Sequence, residues 1–180
     1  KATRDRKAAI RPTEERYSRV ADLICDQGWF GRKTGQGYYN YEGGKQHGAN
    51  PGAFEIVAAE RRALNLPKRS FTSEEIVSRC LTAMIAEAVR VLEDDIALRP
   101  VDIDAVELFG YGFPRHRGGP MHQADLIGPA VLIRRIKLYA NEDPHFWQVP
   151  QLLRDMAREG RSFSDLNNTA PGHVTKGSTK

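Results

Sequence analysis

The stretch "TSEEIVSRCLTAMIAEAVRVLE", Thr72 to Glu93, decides how the chain folds. Thr72 and Glu75 stand three apart, the spacing of a capping box that satisfies the first N–H groups of a helix. Behind them Val77, Cys80, Leu81, Met84, Ile85, Ala88, Val91 and Leu92 recur at helical spacing. So many apolar positions predict a central helix packed on more than one side. The neighbouring segments read as helices too. Thr13 to Gln27 places Tyr17, Val20, Ala21, Leu23 and Ile24 on one face, with Gly28 to stop it. "NPGAFEIVAAERRALNLP" offers Asn50 as N-cap and Pro51 at the first helical position, and ends before Pro67. "RPVDIDAVELFGYG" is a short helix with Asp102 and Asp104 in its first turn, where the helix dipole favours negative charge. "FPRHRGGP" is a rigid loop leading to a helix near Pro120. Gly128 and Pro129 separate that helix from one through Val131, Ile133, Ile136 and Leu138, and a last one spans Pro150 to Arg158. From Gly160 onward the sequence is polar and aperiodic, and its last ten residues are expected to be disordered. The only extended-type run is "GYYNY". Helix after helix with short connections predicts an all-α domain.

Composition narrows the class. The 180 residues are 40% hydrophobic and 28% charged, with a net charge of +4. No apolar run approaches the length of a membrane helix. The opening "KATRDRKAAIRP" is basic, lacks an apolar core and has no initiator Met. It reads as the start of a segment cut from a longer chain and carries no secretory signal. Basic residues collect at the two ends, without the basic stripe and interleaved aromatics that nucleic-acid binding requires. Cys25 and Cys80 each sit in an apolar periodic segment and are expected as buried thiols in a reducing compartment. Their separation gives no zinc spacing.

"GWFGRKTGQGYYNY", Gly28 to Tyr41, has the glycines, lysine and threonine of a phosphate loop, but not their order. Arg32 separates Gly31 from Lys33, and Asn40 takes the third glycine's place in a dinucleotide fingerprint. No helix opens behind it to aim N–H groups at an anion. The glycines are expected to be conformational, laying Tyr38, Tyr39 and Tyr41 against helices.

Other chemistry is sparse. Arg115 and Arg117, beside a helix start, are candidates for an anion such as a CoA phosphate or a carboxylate. The competing reading, which we favour, is a surface turn whose arginines pair with acids such as Asp125. His116 and His122 are not at a metal spacing, and His145 beside Phe146 and Trp147 reads as packed or capping. No serine sits on a nucleophile elbow. Glu87, within the apolar helix, is expected to be partly buried and to make an internal salt bridge.

Three stretches carry a resemblance. "YSRVADLICDQGWFGRKTGQGYYNYE" resembles the connecting segment in the carboxyl-terminal half of 3-hydroxyacyl-CoA dehydrogenases. "EEIVSRCLTAMIAEAVRVLEDDIALRPVDIDAVELFGYGFPRHRGGPMHQADLIG" resembles the terminal helical repeat of that family's multifunctional β-oxidation members. "FWQVPQLLRDMAREGRSF" resembles their last helix. The resemblance implies a 6-phosphogluconate dehydrogenase C-terminal-like helical domain with a glycine-rich connecting segment. It implies a flexible segment at 1–12, a linking helix and turn at 13–45, the terminal helical repeat at 46–160 and a mostly disordered tail at 161–180. The parent would oxidise L-3-hydroxyacyl-CoA with NAD and hydrate enoyl-CoA. Its partners would be upstream Rossmann and first helical domains, an acyl-CoA substrate and a candidate thiolase subunit. No catalytic, cofactor-binding or metal residue carries over onto this sequence. Arg115 and Arg117 remain its substrate-binding candidates. A bacterial cytoplasm is the expected compartment, with a peroxisome as the alternative. A stand-alone acyl-CoA- or protein-binding module is the alternative function.

Overall fold

A computed structural model describes Arg6, Ile10, Arg11 and residues 16–168. The chain forms two compact units, Lys1–Ser70 and Phe71–Lys180.

In the first unit a short helix, α1 (Val20–Asp26), precedes an antiparallel hairpin of β1 (Tyr39–Glu42) and β2 (Lys45–Ala49), and α2 (Pro51–Ala63) follows. The helix expected from Thr13 starts only at Val20. Thr13–Glu15 lie outside the described residues, and residues 16–19 are not helical. The reason is local. Ser18 Oγ accepts the Val20 N–H at 3.4 Å, and buried Glu60 of α2 accepts the Arg19 N–H at 3.0 Å, so the chain enters the helix there. Strand β2 escaped the sequence reading. Its signal was the Gly43-Gly44 pair, whose positive φ values of 55° and 76° make the two-residue turn that joins twisted strands. Asn50 caps α2 as expected, its side chain accepting the Gly52 N–H at 3.0 Å. Its amide also donates to the Gly37 carbonyl at 2.9 Å, tying the glycine-rich segment to the helix.

The second unit is helical throughout: α3 (Ser73–Glu93), α4 (Pro100–Gly110), a 3-10 turn (Arg115–Arg117), α5 (Pro120–Ile127), α6 (Pro129–Ala140), α7 (Gln151–Glu159) and a 3-10 helix (Phe163–Asn168). Thr72 Oγ1 accepts the Glu75 N–H at 3.1 Å, the forward half of the expected capping box. One broad face of α3, carrying Leu81, Ile85, Ala88, Val89 and Leu92, is buried in a core with Met121, Leu132, Ile136, Leu153, Met156 and Phe163. The all-α expectation holds, with the hairpin as its small exception.

Several expectations are corrected. Ile76, Val77 and Met84 of α3 are exposed, so this helix is buried on one broad side only. Cys80 lies on that outer side, and Cys25 is exposed as well. Each follows the residue type's helical spacing but sits beside, not on, the buried positions Leu81 and Ile24. Glu87 is also on the outer side, where it forms a surface pair with Arg90 at 3.0 Å. The boundary expected at 45/46 falls at 70/71 because α2 packs with α1. Residues 163–168, expected to belong to the disordered tail, form a 3-10 helix whose Phe163 and Leu166 are buried in the core. Residues 169–180 and most of 1–12 lie outside the described residues.

A candidate functional site ringed by helix starts

Four α-helices of the second unit, α4, α5, α6 and α7, begin without a capping side chain of their own. Gly119, before α5, has none to offer, and Arg99, before α4, makes no such bond. A helix start leaves N–H groups that need acceptors. Here they come from other helices. Asp104 of α4 accepts the Met121 and His122 N–H groups of α5 at 2.7 and 3.0 Å. Asp125 of α5 accepts the Phe163 and Ser164 N–H groups of the last 3-10 helix at 2.6 and 2.9 Å. Asn167 of that 3-10 helix accepts the Val101 N–H of α4 at 2.9 Å. The circuit closes: α4 holds α5, α5 holds the 3-10 helix, and the 3-10 helix holds α4. Glu93 of α3 caps α7 in the same manner through the Leu152 N–H. A carboxylate at a helix start also meets the positive end of the helix dipole.

Space for this closure comes from glycine. At Gly119, φ is +99°, and an added Cβ would collide with the Asp104 carboxylate. At Gly118, φ is +74° and a Cβ would lie 2.6 Å from the His122 ring. Burial pushes the Asp104 carboxyl above its ordinary value of 3.8. The Met121 and His122 N–H bonds pull it back in part.

The ring encloses a cleft of about 400 Å³ lined by Val101, Leu108, Phe109, Met121 and Phe163, with Asp104, His122, Asp125, Ser164 and Asn167. Lysine and arginine are absent from its lining. Arg115 and Arg117 stand outside it on the exposed 3-10 turn. The Arg115 guanidinium lies 5.6 Å from the centre of the Phe109 ring. Neither arginine pairs with Asp125, whose two oxygens are engaged by the N–H groups already named. His116, His122 and His145 are exposed, and the capping expected of His145 is done by Asp143, which accepts the Phe146 N–H. No cluster suited to a metal ion occurs among the described residues.

The glycine-rich segment is not part of this site. Its N–H groups serve its own fold: Gly31 donates to Gln36, Gly37 to Tyr39, Tyr41 to Gly35 and Phe30 to Thr34 Oγ1. The segment is a turn, with no helix opening within it to gather further N–H groups on an anion. Sequence reasoning found Asp104 at a first turn and Asp125 near the arginines but missed their capping roles, and it missed Asn167 altogether. The available signal was a "GGP" helix start with no capping residue, which requires an acceptor from elsewhere.

Residues 76–164 match the model of the 3-hydroxyacyl-CoA dehydrogenase C-terminal domain. That stretch holds Asp104, Asp125, Phe163 and Ser164. The chain belongs to this family as a C-terminal 3-hydroxyacyl-CoA dehydrogenase domain, homologous to multifunctional fatty acid oxidation enzymes. It is 39% identical over 148 residues to a peroxisomal bifunctional enzyme of Danio rerio, covering 79% of this chain and 21% of that protein. The Homo sapiens peroxisomal bifunctional enzyme is 36% identical over 152 residues, covering 81% and 21%. The fatty acid oxidation complex subunit alpha of Acinetobacter baylyi is 36% identical over 137 residues, covering 74% and 18%. The chain thus spans about a fifth of the length of these relatives.

Proposed function

We propose that this chain is the terminal helical domain of an NAD-dependent 3-hydroxyacyl-CoA dehydrogenase within a multifunctional fatty-acid β-oxidation enzyme. The parent oxidises L-3-hydroxyacyl-CoA to 3-ketoacyl-CoA, passing a hydride to NAD, and hydrates enoyl-CoA. The family match over residues 76–164 carries the reading. The domain's part is support. Hydride transfer requires two reactants held at contact distance, and a rigid wall beside the cleft that holds them serves the rate. The use of Asp104 and Asp125 as caps agrees with this role, because their oxygens fasten helices. The glycine-rich segment does not fit the dinucleotide, since it forms a turn with no helix opening behind its glycines and the Gly31, Gly37 and Tyr41 N–H groups are bonded within it, so no step through NAD is assigned to these residues.

Arg115 and Arg117 contact a CoA phosphate in this reading. Upstream Rossmann and first helical domains are the partners within the parent chain, and a thiolase subunit is the candidate outside it. The compartment is a bacterial cytoplasm, with a peroxisome as the competing assignment.

The purified chain, given acetoacetyl-CoA and NADH, is expected to show no turnover. Sustained NADH oxidation by the chain alone would overturn the supporting role. In the parent enzyme, Arg115→Ala should raise KM for the acyl-CoA about tenfold at unchanged kcat, the signature of lost ground-state binding.

A further inference from the structure

We propose that the glycine-rich segment and the hairpin behind it form a basic end, with one exposed aromatic ring, that docks the first unit on an anionic membrane surface. The segment is built as a row of antiparallel turns. Gly31 pairs with Gln36, Gln36 with Asn40, and β1 with β2, each antiparallel. In such a row alternate turns fall at the same end. The turn at 32–35 and the Gly43-Gly44 turn therefore share an end. It carries Arg32 and Lys33 in the first turn and Lys45 just after the other, all exposed. The acid in these two stretches is Glu42, whose carboxylate lies 3.6 Å from His47. Phe30, 60% exposed, adjoins the first turn.

The segment's own bonds hold this end in shape. The Thr34 N–H donates to the Gly31 carbonyl at 3.1 Å, which sets Arg32 and Lys33 at the two central positions of a tight turn. Thr34 Oγ1 accepts the Phe30 N–H at 2.8 Å. Behind the turn the Gly31 N–H reaches the Gln36 carbonyl, and the Tyr41 N–H the Gly35 carbonyl, both at 2.7 Å. The cations and the ring are thus presented at little ordering cost. Charge is divided unevenly along the chain. Lys1–Ser70 carries 14 Lys and Arg against 8 Asp and Glu, whereas Phe71–Lys180 carries 13 against 15, so an anionic surface attracts the first unit. A bilayer with acidic headgroups matches both features of this end. Its surface charge attracts cations brought close to it, and an aromatic ring settles at headgroup level. Single-stranded nucleic acid matches less well, because it calls for several aromatics along one charged groove. The other exposed rings of the segment, Tyr38 and Tyr39, belong to the turn at the opposite end of the row.

Co-flotation of the 180-residue protein with lipid vesicles tests the proposal. Phosphatidylcholine vesicles with about one third phosphatidylserine should take up the protein, and phosphatidylcholine alone should not. Uptake should fall away at roughly 0.5 M salt, where surface charges are screened. Arg32→Gln combined with Lys33→Gln should weaken partitioning by about tenfold or more. Phe30→Ser should weaken it several-fold while leaving the salt dependence in place. A charge-matched control, Arg134→Gln with Lys137→Gln at exposed positions of α6, should bind as the wild type does. Circular dichroism verifies that the variants are folded, and Phe30, Arg32 and Lys33 are all exposed. An equal loss in the control would reduce the effect to net charge and overturn the docking end. Absence of uptake by the anionic vesicles, or full uptake of the Arg32/Lys33 double variant, would overturn it as well. Tighter binding to poly(U) RNA than to the vesicles, lost in that same variant, would assign this end to nucleic acid and overturn the membrane reading.

Discussion

At position 119 a single carbon separates a closed joint from a broken one. Gly119→Ala would place a methyl group against the Asp104 carboxylate while forcing a positive φ on a residue that avoids it. We expect a loss of about 2 kcal/mol or more in urea unfolding, from strain and a displaced cap together. Thr82 makes the opposite case. Its side chain is fully buried in α3 and its hydroxyl has no hydrogen-bond partner. Thr82→Val keeps the shape and removes the orphaned group, so stability should be unchanged or rise by about 1 kcal/mol. Asp104 gives a pH signature. Because burial raises its folded value, the neutral form is favoured in the fold. That contribution is fully present below the unfolded value near 3.8 and is lost as pH rises through the raised folded value. The stability advantage of the wild type over Asp104→Asn should therefore shrink as urea curves are repeated from about pH 3 to 6. An advantage that grows with pH would contradict the dominance of burial at this carboxyl.

Among the elements, the last 3-10 helix depends most on a distant residue. Asp125→Ala removes both acceptors for the Phe163 and Ser164 N–H groups. A loss of about 1–3 kcal/mol is expected, with faster hydrogen exchange at those two amides. The same element shows where sequence reading stopped. Helices with their own caps, Thr72 before α3 and Asn50 before α2, were legible because signal and structure lie within a few residues. "RSFSDLNN" looked like a polar tail because its two buried residues, Phe163 and Leu166, are too few to set a period. Its place in the core depends on Asp125, 38 residues earlier, a relation no local pattern contains. Cys25 and Cys80 failed for the reverse reason. Periodicity identifies an apolar stripe but does not say how wide the buried part is. The arginines of the 3-10 turn were legible as a feature, whereas the cleft beside them needed three segments brought together from across the unit.

The chain divides into its two units between Ser70 and Phe71, and residues 66–70 carry no regular structure. Lys68 is exposed in that stretch. Limited trypsin should cut there first and release a fragment that keeps the helical circular dichroism and cooperative unfolding of the second unit. Early cleavage inside α3 instead would contradict the division. The ring of borrowed caps bears on how such pieces can be handled. Asp104, Asp125 and Asn167 each secure a helix other than their own, so they travel as a set. A graft of α4 and α5 onto another scaffold would arrive with one clasp open, and an expression boundary placed before Asn167 would remove the acceptor of a helix-start N–H 66 residues upstream.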